Sequence, residues 1–349
     1  MRELRDRGRA SRREADPRAP LDVFITVDTE LWPFAPGWPE RPFGGSKKDF
    51  AAEIAQYIYG ETPQGELGLG FQLKLLREHG LVATYFVESL CSLVLGTAAL
   101  AEWTGMIVAS GHEVGLHAHT EWLREASVPG VTPGLREHLH EYSVPVQQAI
   151  LGLALERLVA AGAPRPTAFR AGSYGAGVAT LRALKAVGLR YDTSLNACEP
   201  GSFPDLADKV AVTQPAVMEG CLEMPVSVFQ DYPGHLRPAN LCACSAAEMQ
   251  SALRGARARG WDAFVIVLHS GELIRRRPHA RQAAPARVLV SRFRALCEFL
   301  ARHPDEFRTR TFGGLLPRRG SGRQCYQRPT SALHRTAWRF IEQIASRVV

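Results

Sequence analysis

The stretch GHEVGLHAHTEW, residues 111 to 122, sets His117 and His119 two apart at the end of an apolar run, with Glu121 just beyond. Side chains at i and i+2 of a strand leave the same face, so both imidazoles can converge on one ion. Zinc favours imidazole and carboxylate ligands, and a hydrolytic site uses three of them with one position left open to water. A carboxylate from the Asp28-Thr29-Glu30 run in TVDTE would complete that count. Such a set activates a water against a carbonyl.

Other apolar runs also close on a residue that titrates or carries charge: Arg170 in PTAFRAG, Asp192 in RYDTSL and His269 in AFVIVLHS. Each has a plain structural explanation by itself. An aspartate after a strand commonly caps a turn, a buried histidine is commonly hydrogen-bonded core, and an arginine commonly pairs with a neighbouring acid. The stronger signal is that they recur at the same place in successive runs. His79 and His112 lie beside glycines at helix ends and read as structural. His138 and His140 in LREHLHEY read as a solvated helical surface.

The elements that must position these residues alternate regularly. Strands are expected at 21–29, 81–88, 113–119, 166–172, 190–195, 222–228 and 263–270, and helices at 71–80, 98–109, 143–161, 177–188, 246–259 and 286–301. Short strands alternating with longer helices imply parallel pairing through right-handed crossovers. Seven such units predict an α/β fold, a seven-stranded (β/α) barrel, whose strand carboxyl ends would share one mouth.

Three segments stand outside that rhythm. Residues 1–19 read as a disordered basic arm ahead of a barrel domain over 20–310, and 32–70 form a Pro-, Gly- and Trp-rich insertion with one short helix. Insertions of that length commonly serve as lids or binding loops. Residues 311–349 form a basic extension ending in an amphipathic helix, SALHRTAWRFIEQIASRVV, expected to dock on the barrel, with membrane or partner contact as the alternative.

With 349 residues, 46% of them hydrophobic, the chain can bury one large core. The net charge of +7 is concentrated in the two tails and comes with no nucleic-acid-binding signature, so no nucleic acid is expected as partner. The charged N-terminus lacks the apolar run of a secretory signal, and the seven cysteines are odd in number without a paired framework, which suits reduced thiols in a cytoplasm. Peripheral contact at the inner membrane surface, through the basic tails, is the expected exception.

Taken in order, TVDTE, ATYFVE, GHEVGLHAHTEW, FRAGSY, YDTSLN and VLHSGE resemble the motifs of the polysaccharide deacetylase family, the NodB-homology domain of carbohydrate esterase family 4. The resemblance spans about residues 21–300 and implies a distorted (β/α)7 barrel with a divalent metal, most simply Zn2+. By position it makes Asp28 the general base, His269 the general acid, Arg170 the residue holding the base and Asp192 the support of the acid. The family's first motif reads Asp-Asp where this chain has Asp28-Thr29, and Glu30 would supply the missing carboxylate. The family spaces its two histidine ligands four apart, and four beyond His117 lies Glu121, so His119 and Glu121 are alternatives for that position.

The activity so implied is removal of an N-acetyl group from a sugar, with Tyr174 or a nearby backbone N–H as oxyanion donor. A lipid- or nucleotide-linked sugar suits a cytoplasmic enzyme. Trp32, Phe34, Trp38, Phe43 and Trp122 are aromatics that could stack on sugar rings or simply pack. Two other readings remain open at this point: a metal-free hydrolase of a small amide or ureide, and a non-catalytic carbohydrate-binding barrel.

Overall fold

LDVFITVDT is rich in β-branched and aromatic residues, and all but Asp22 are buried, as in a strand covered on both faces. It forms β1 (Leu21–Thr29), at the centre of the sheet. Six more parallel strands follow: β2 (Ala83–Glu88), β3 (Glu113–Ala118), β4 (Ala168–Ala171), β5 (Tyr191–Asp192), β6 (Cys221–Glu223) and β7 (Ala263–His269). The computed structural model describes residues 19–31, 47–125, 131, 136–275, 283–315 and 327–348.

The spatial order is β7-β1-β2-β3-β4-β5-β6, every neighbouring pair parallel. The sequence of strands thus curls as a (β/α)7 barrel, and the departure from regularity lies between β6 and β7. No ladder joins them among the described residues; instead Ser227 donates its N–H to Val265 O at 3.2 Å and Leu241 donates to Val267 O at 3.0 Å. β5 and β6 are shorter than the apolar runs suggested. Beyond Asp192 the chain bonds to side chains, as where Leu195 N–H meets Glu223 Oε1 at 3.2 Å and Asn196 N–H meets Ser202 Oγ at 2.9 Å.

Helices α2 (Leu69–Glu78), α3 (Thr97–Ala109), α4 (Val144–Ala160), α5 (Val178–Ala186), α6 (Ala246–Ala258) and α7 (Arg287–Arg302) lie close to the expected bounds, following α1 (Lys47–Tyr57) in the insertion. A two-residue hairpin pair, Glu61–Thr62 with Gly65–Glu66, completes the described part of the insertion. The main core lies between the sheet and these helices. α8 (Leu333–Val348) docks last, against α6 and α7. No helix among the described residues is long and apolar enough to cross a membrane.

A second, smaller core fills the barrel itself. Phe312 closes it from below, with ring centroids 5.0 Å from Phe24 and 5.7 Å from Phe86. Phe307–Thr309 reaches that position by pairing in parallel with Leu21–Val23. Residues past 310, expected to be irregular, therefore contribute a side chain whose loss would cost about 3–5 kcal/mol. Phe86 fills so much of the interior that a Cβ on Gly115, facing it from β3, would lie 2.6 Å from its ring.

Candidate active site

The register of the sheet aligns the strand ends. Asp28 pairs with His269 across β1 and β7, Glu88 with His117 across β2 and β3, and His117 with Arg170 across β3 and β4. Strand alternation sends Asp28 and Glu30 to one side and Thr29 to the other, where it is fully buried. Thr29 thus has no place in the mouth, and Glu30, one residue on, regains the inner face with a longer side chain.

Glu30, His117 and His119 come together there: one ligand atom from each lies within 4.8 Å of the other two. Glu30 Oε2 stands 2.9 Å from His117 Nε2 and 2.7 Å from His119 Nε2. The tautomers follow from what stands behind each ring. His117 Nδ1 lies 2.8 Å from Arg170 O, and a carbonyl only accepts, so Nδ1 carries the hydrogen. Glu121 Oε2 lies 3.3 Å from His119 Nδ1, which fixes that ring in the same sense. With Nδ1 carrying the hydrogen, each ring turns its Nε2 to a carboxylate oxygen, as a lone pair when the ring is neutral. Lone pairs do not hold one another at such distances unless a proton or a cation lies between them. The donor set and the backing of each ring fit a divalent ion, with Glu121 in the orienting position that metal-bound histidines usually have.

Burial opposes charge on Glu30, but His119 and His117 outweigh it and hold its carboxyl well below the ordinary range. His119 is likewise buried, and Glu121 and Glu30 raise it well above the ordinary histidine value. Gly172, in the turn after β4, leaves room for this ring: a Cβ there would lie 2.6 Å from His119.

Asp28 sits beside the triad. Arg170, fully buried, donates Nη1 to Asp28 Oδ1 at 2.7 Å, Nη2 to Thr26 Oγ1 at 2.8 Å and Nε to Thr193 O at 3.1 Å. Its guanidinium also rests 4.7 Å from the centre of the Phe86 ring. His269 Nε2 lies 3.9 Å from Asp28 Oδ2 and 3.8 Å from Glu30 Oε1, with 38% of the side chain open to solvent. Its surroundings would lower its pKa, yet the carboxylates of Glu30, Asp28 and Glu272 prevail and raise it. The strand end is pinned by Gln72, which donates to His269 O at 3.0 Å.

Asp192 is placed differently from the expectation. It accepts from Ser194 Oγ at 2.6 Å and faces Glu223 on β6; among the described residues no contact joins it to His269. Burial raises both carboxyls; Asp192 raises Glu223 further, whereas the hydrogen bond from Glu223 lowers Asp192, so Glu223 is the one that keeps the proton. Tyr174 follows β4 with Ser173, both in the left-handed region at φ 54° and 51°, a strained turn of the kind found at functional sites. Burial raises the Tyr174 hydroxyl above its ordinary pKa, and no side chain or backbone group among the described residues bonds it.

Trp122 is buried, its ring 6.3 Å from Phe50 on α1, so packing of the insertion accounts for it. Trp32, Phe34, Trp38, Phe43 and the basic arm lie outside the described residues. His138 and His140 are half-buried rather than solvated on a helix: His138 caps a short 3-10 turn and His140 lies within it, their rings 5.3 Å apart, with His138 against Gly175 and Gly201. Sequence reasoning missed Glu88. Its carboxylate accepts the N–H of His119 at 2.5 Å and of Leu90 at 2.6 Å, and burial pushes it up to about 7. Its place at the end of ATYFVE, in register with His117, was the available signal.

No family model matches the chain, and no curated protein matches it in sequence. Solved structures do. A Mycobacterium smegmatis protein described as a polysaccharide deacetylase is 20% identical with a TM-score of 0.50, over 86% of this chain and 89% of that one. Puue allantoinase is 13% identical with a TM-score of 0.47, over 84% and 88%. A family 4 carbohydrate esterase from Streptomyces lividans, in complex with acetate, is 14% identical with a TM-score of 0.38, over 83% and 92%. These are likenesses of fold.

Proposed function

We propose that the chain is a metal-dependent carbohydrate deacetylase of the polysaccharide deacetylase type, cleaving an N-acetyl amide to acetate and a free amine. The observation that carries the reading is the meeting, at one barrel mouth, of the Glu30-His117-His119 triad with an arginine-held carboxylate and a partly open histidine. The motif order read from the sequence supports it, and so does the fold.

Glu30, His117 and His119 would hold the ion, with Glu121 and the Arg170 carbonyl fixing the rings. When bound, a divalent ion such as Zn2+ supplies Lewis acidity and brings the pKa of its water to about 7. Asp28 takes the water proton, its geometry set by Arg170. His269, its pKa raised by three carboxylates, gives a proton to the departing nitrogen. Tyr174 Oη is free to donate to the carbonyl oxygen as charge develops on it. Water adds to the acyl carbon, the C–N bond breaks, and acetate and amine leave.

The sugar is expected to be lipid- or nucleotide-linked, since the sequence suits a cytoplasmic protein. The test is metal content of tag-free protein, beside Glu30→Ala and His117→Ala, followed by acetate release from a panel of N-acetylated sugars and ureides. About one ion per chain, lost in both variants, with acetate released only from sugars, supports the reading. Turnover of a ureide alone, or folded protein that takes up no ion on reconstitution, would refute it.

A further inference from the structure

α8 docks the wrong way round for an ordinary surface helix. Among its side chains described through residue 344, Thr336 and Arg339 are buried, and the opposite face holds Leu333, Ala337, Trp338, Phe340, Ile341 and Ile344, all exposed. Exposure reaches 62% at Leu333 and 63% at Ile344. At about 100° per residue these six side chains lie on one face, with His334 as the single polar residue among them, running most of a helix about 24 Å long. Scattered apolar residues on a surface need no explanation, but a contiguous stripe does.

The polar contacts beneath the helix fix this orientation. Arg339 donates Nη2 to Asp231 at 3.1 Å and Nε to Glu248 Oε1 at 3.2 Å. Thr336 Oγ1 lies 3.0 Å from both Asp231 O and Glu248 Oε1. Glu248 is itself the capping residue of α6, accepting the Ser245 N–H at 2.8 Å. Along the edge, Arg292 holds Glu342 at 2.7 Å. Rolling the helix to bury its stripe would break all of these and strand buried charge, so the apolar face is held outward.

The charge around the stripe selects its occupant. The only acid in α8 is Glu342, already bound by Arg292, and no exposed residue of the helix is acidic. Arg328 precedes it and Arg335 lies on it, with no aspartate or glutamate between them. Two copies meeting through this helix face to face would bring like charges together, whereas an anionic surface offsets them. A helix with a tryptophan, large aliphatics and basic flanks is the type that lies in a bilayer interface. We infer that α8 seats the protein on an anionic lipid surface, its apolar stripe entering the headgroup region and the barrel standing on its polar side. This goes beyond the proposed deacetylase activity and does not depend on it.

The test is flotation of the full-length protein with vesicles of phosphatidylcholine, with and without phosphatidylglycerol, beside Phe340→Asp/Ile344→Asp. Wild type should float with the anionic vesicles and detach in high salt. The double variant should partition at least about tenfold less while keeping its urea midpoint and metal content. Because both side chains point outward the fold should survive; if it does not, Ile344→Ser serves the same comparison. Wild type that stays down with anionic vesicles, or variants that float equally, overturn the inference. A concentration-dependent dimer that the substitutions dissolve, without flotation, assigns the stripe to a second copy and overturns it too.

Discussion

Replacing Arg170 by methionine keeps a long side chain on β4 but removes the charge and donors that hold Asp28. Asp28 is 3% exposed and would be left as a buried carboxylate without its counter-charge, and Thr26 and Thr193 would each lose a donor. Breaking one side of a buried pair costs about 3–5 kcal/mol, a large part of the roughly 5–15 kcal/mol that holds a domain together. With a urea slope near 3 kcal/mol per molar, the midpoint should fall by about 1–1.7 M. Asp28→Asn alone strands the guanidinium and should cost a similar amount. The double variant Asp28→Asn/Arg170→Met should cost less than the two together by about 2 kcal/mol or more. The measurement is urea unfolding of the four proteins in chelator, so that bound metal contributes nothing. A loss under about 1 kcal/mol for Arg170→Met, or simple additivity, would refute the account of Arg170 as the clamp of this carboxylate.

Glu121→Gln should keep the ion but bind it about 10- to 100-fold more weakly, as loss of an orienting partner does, measured by competition with a chromogenic chelator. Gly172→Ala should displace the His119 ring, since its Cβ would fall 2.6 Å from it, and so lower metal occupancy with little change in the far-UV spectrum. Glu223→Gln tests the proton that Glu223 keeps: the raised carboxyl binds a proton in the folded chain above the ordinary 4.5, so stability present below that value is lost as pH rises through the folded one. The variant should therefore gain on wild type as pH rises above about 5, as read from urea midpoints across a pH series.

The seven strands were legible because each is an apolar run of the length a covered parallel strand needs, and the titratable residues at their ends marked the mouth. Asp28, Arg170 and His269 could be placed from that pattern. Glu30 was readable as a candidate for the missing carboxylate from its length, and alternation across β1 brings it to the face that Asp28 shares. That His119 rather than Glu121 joins Glu30 and His117 in the cluster was not legible, because it depends on what backs each ring. The Asp192 partner was equally hidden, since nothing in YDTSL tells of Glu223 on the next strand. Phe312 looked like part of an irregular tail because a single aromatic carries no periodicity. An amphipathic helix declares two faces but not which one turns inward, and α8 turned the polar one.

The central place of β1 has a consequence for how the protein comes to exist. The first strand made pairs on one edge with residues 83–87 and on the other with residues 263–269, which emerge last among the barrel strands. Until then β1 carries an open, apolar edge, the kind that invites pairing with other chains. Asp28 also waits for Arg170, 142 positions later. The barrel cannot close stepwise as the chain is made, so closure belongs to the nearly finished polypeptide. Such long-range pairing slows folding and leaves intermediates exposed. A nascent chain halted before residue 263 should therefore be soluble only with a chaperone holding that edge.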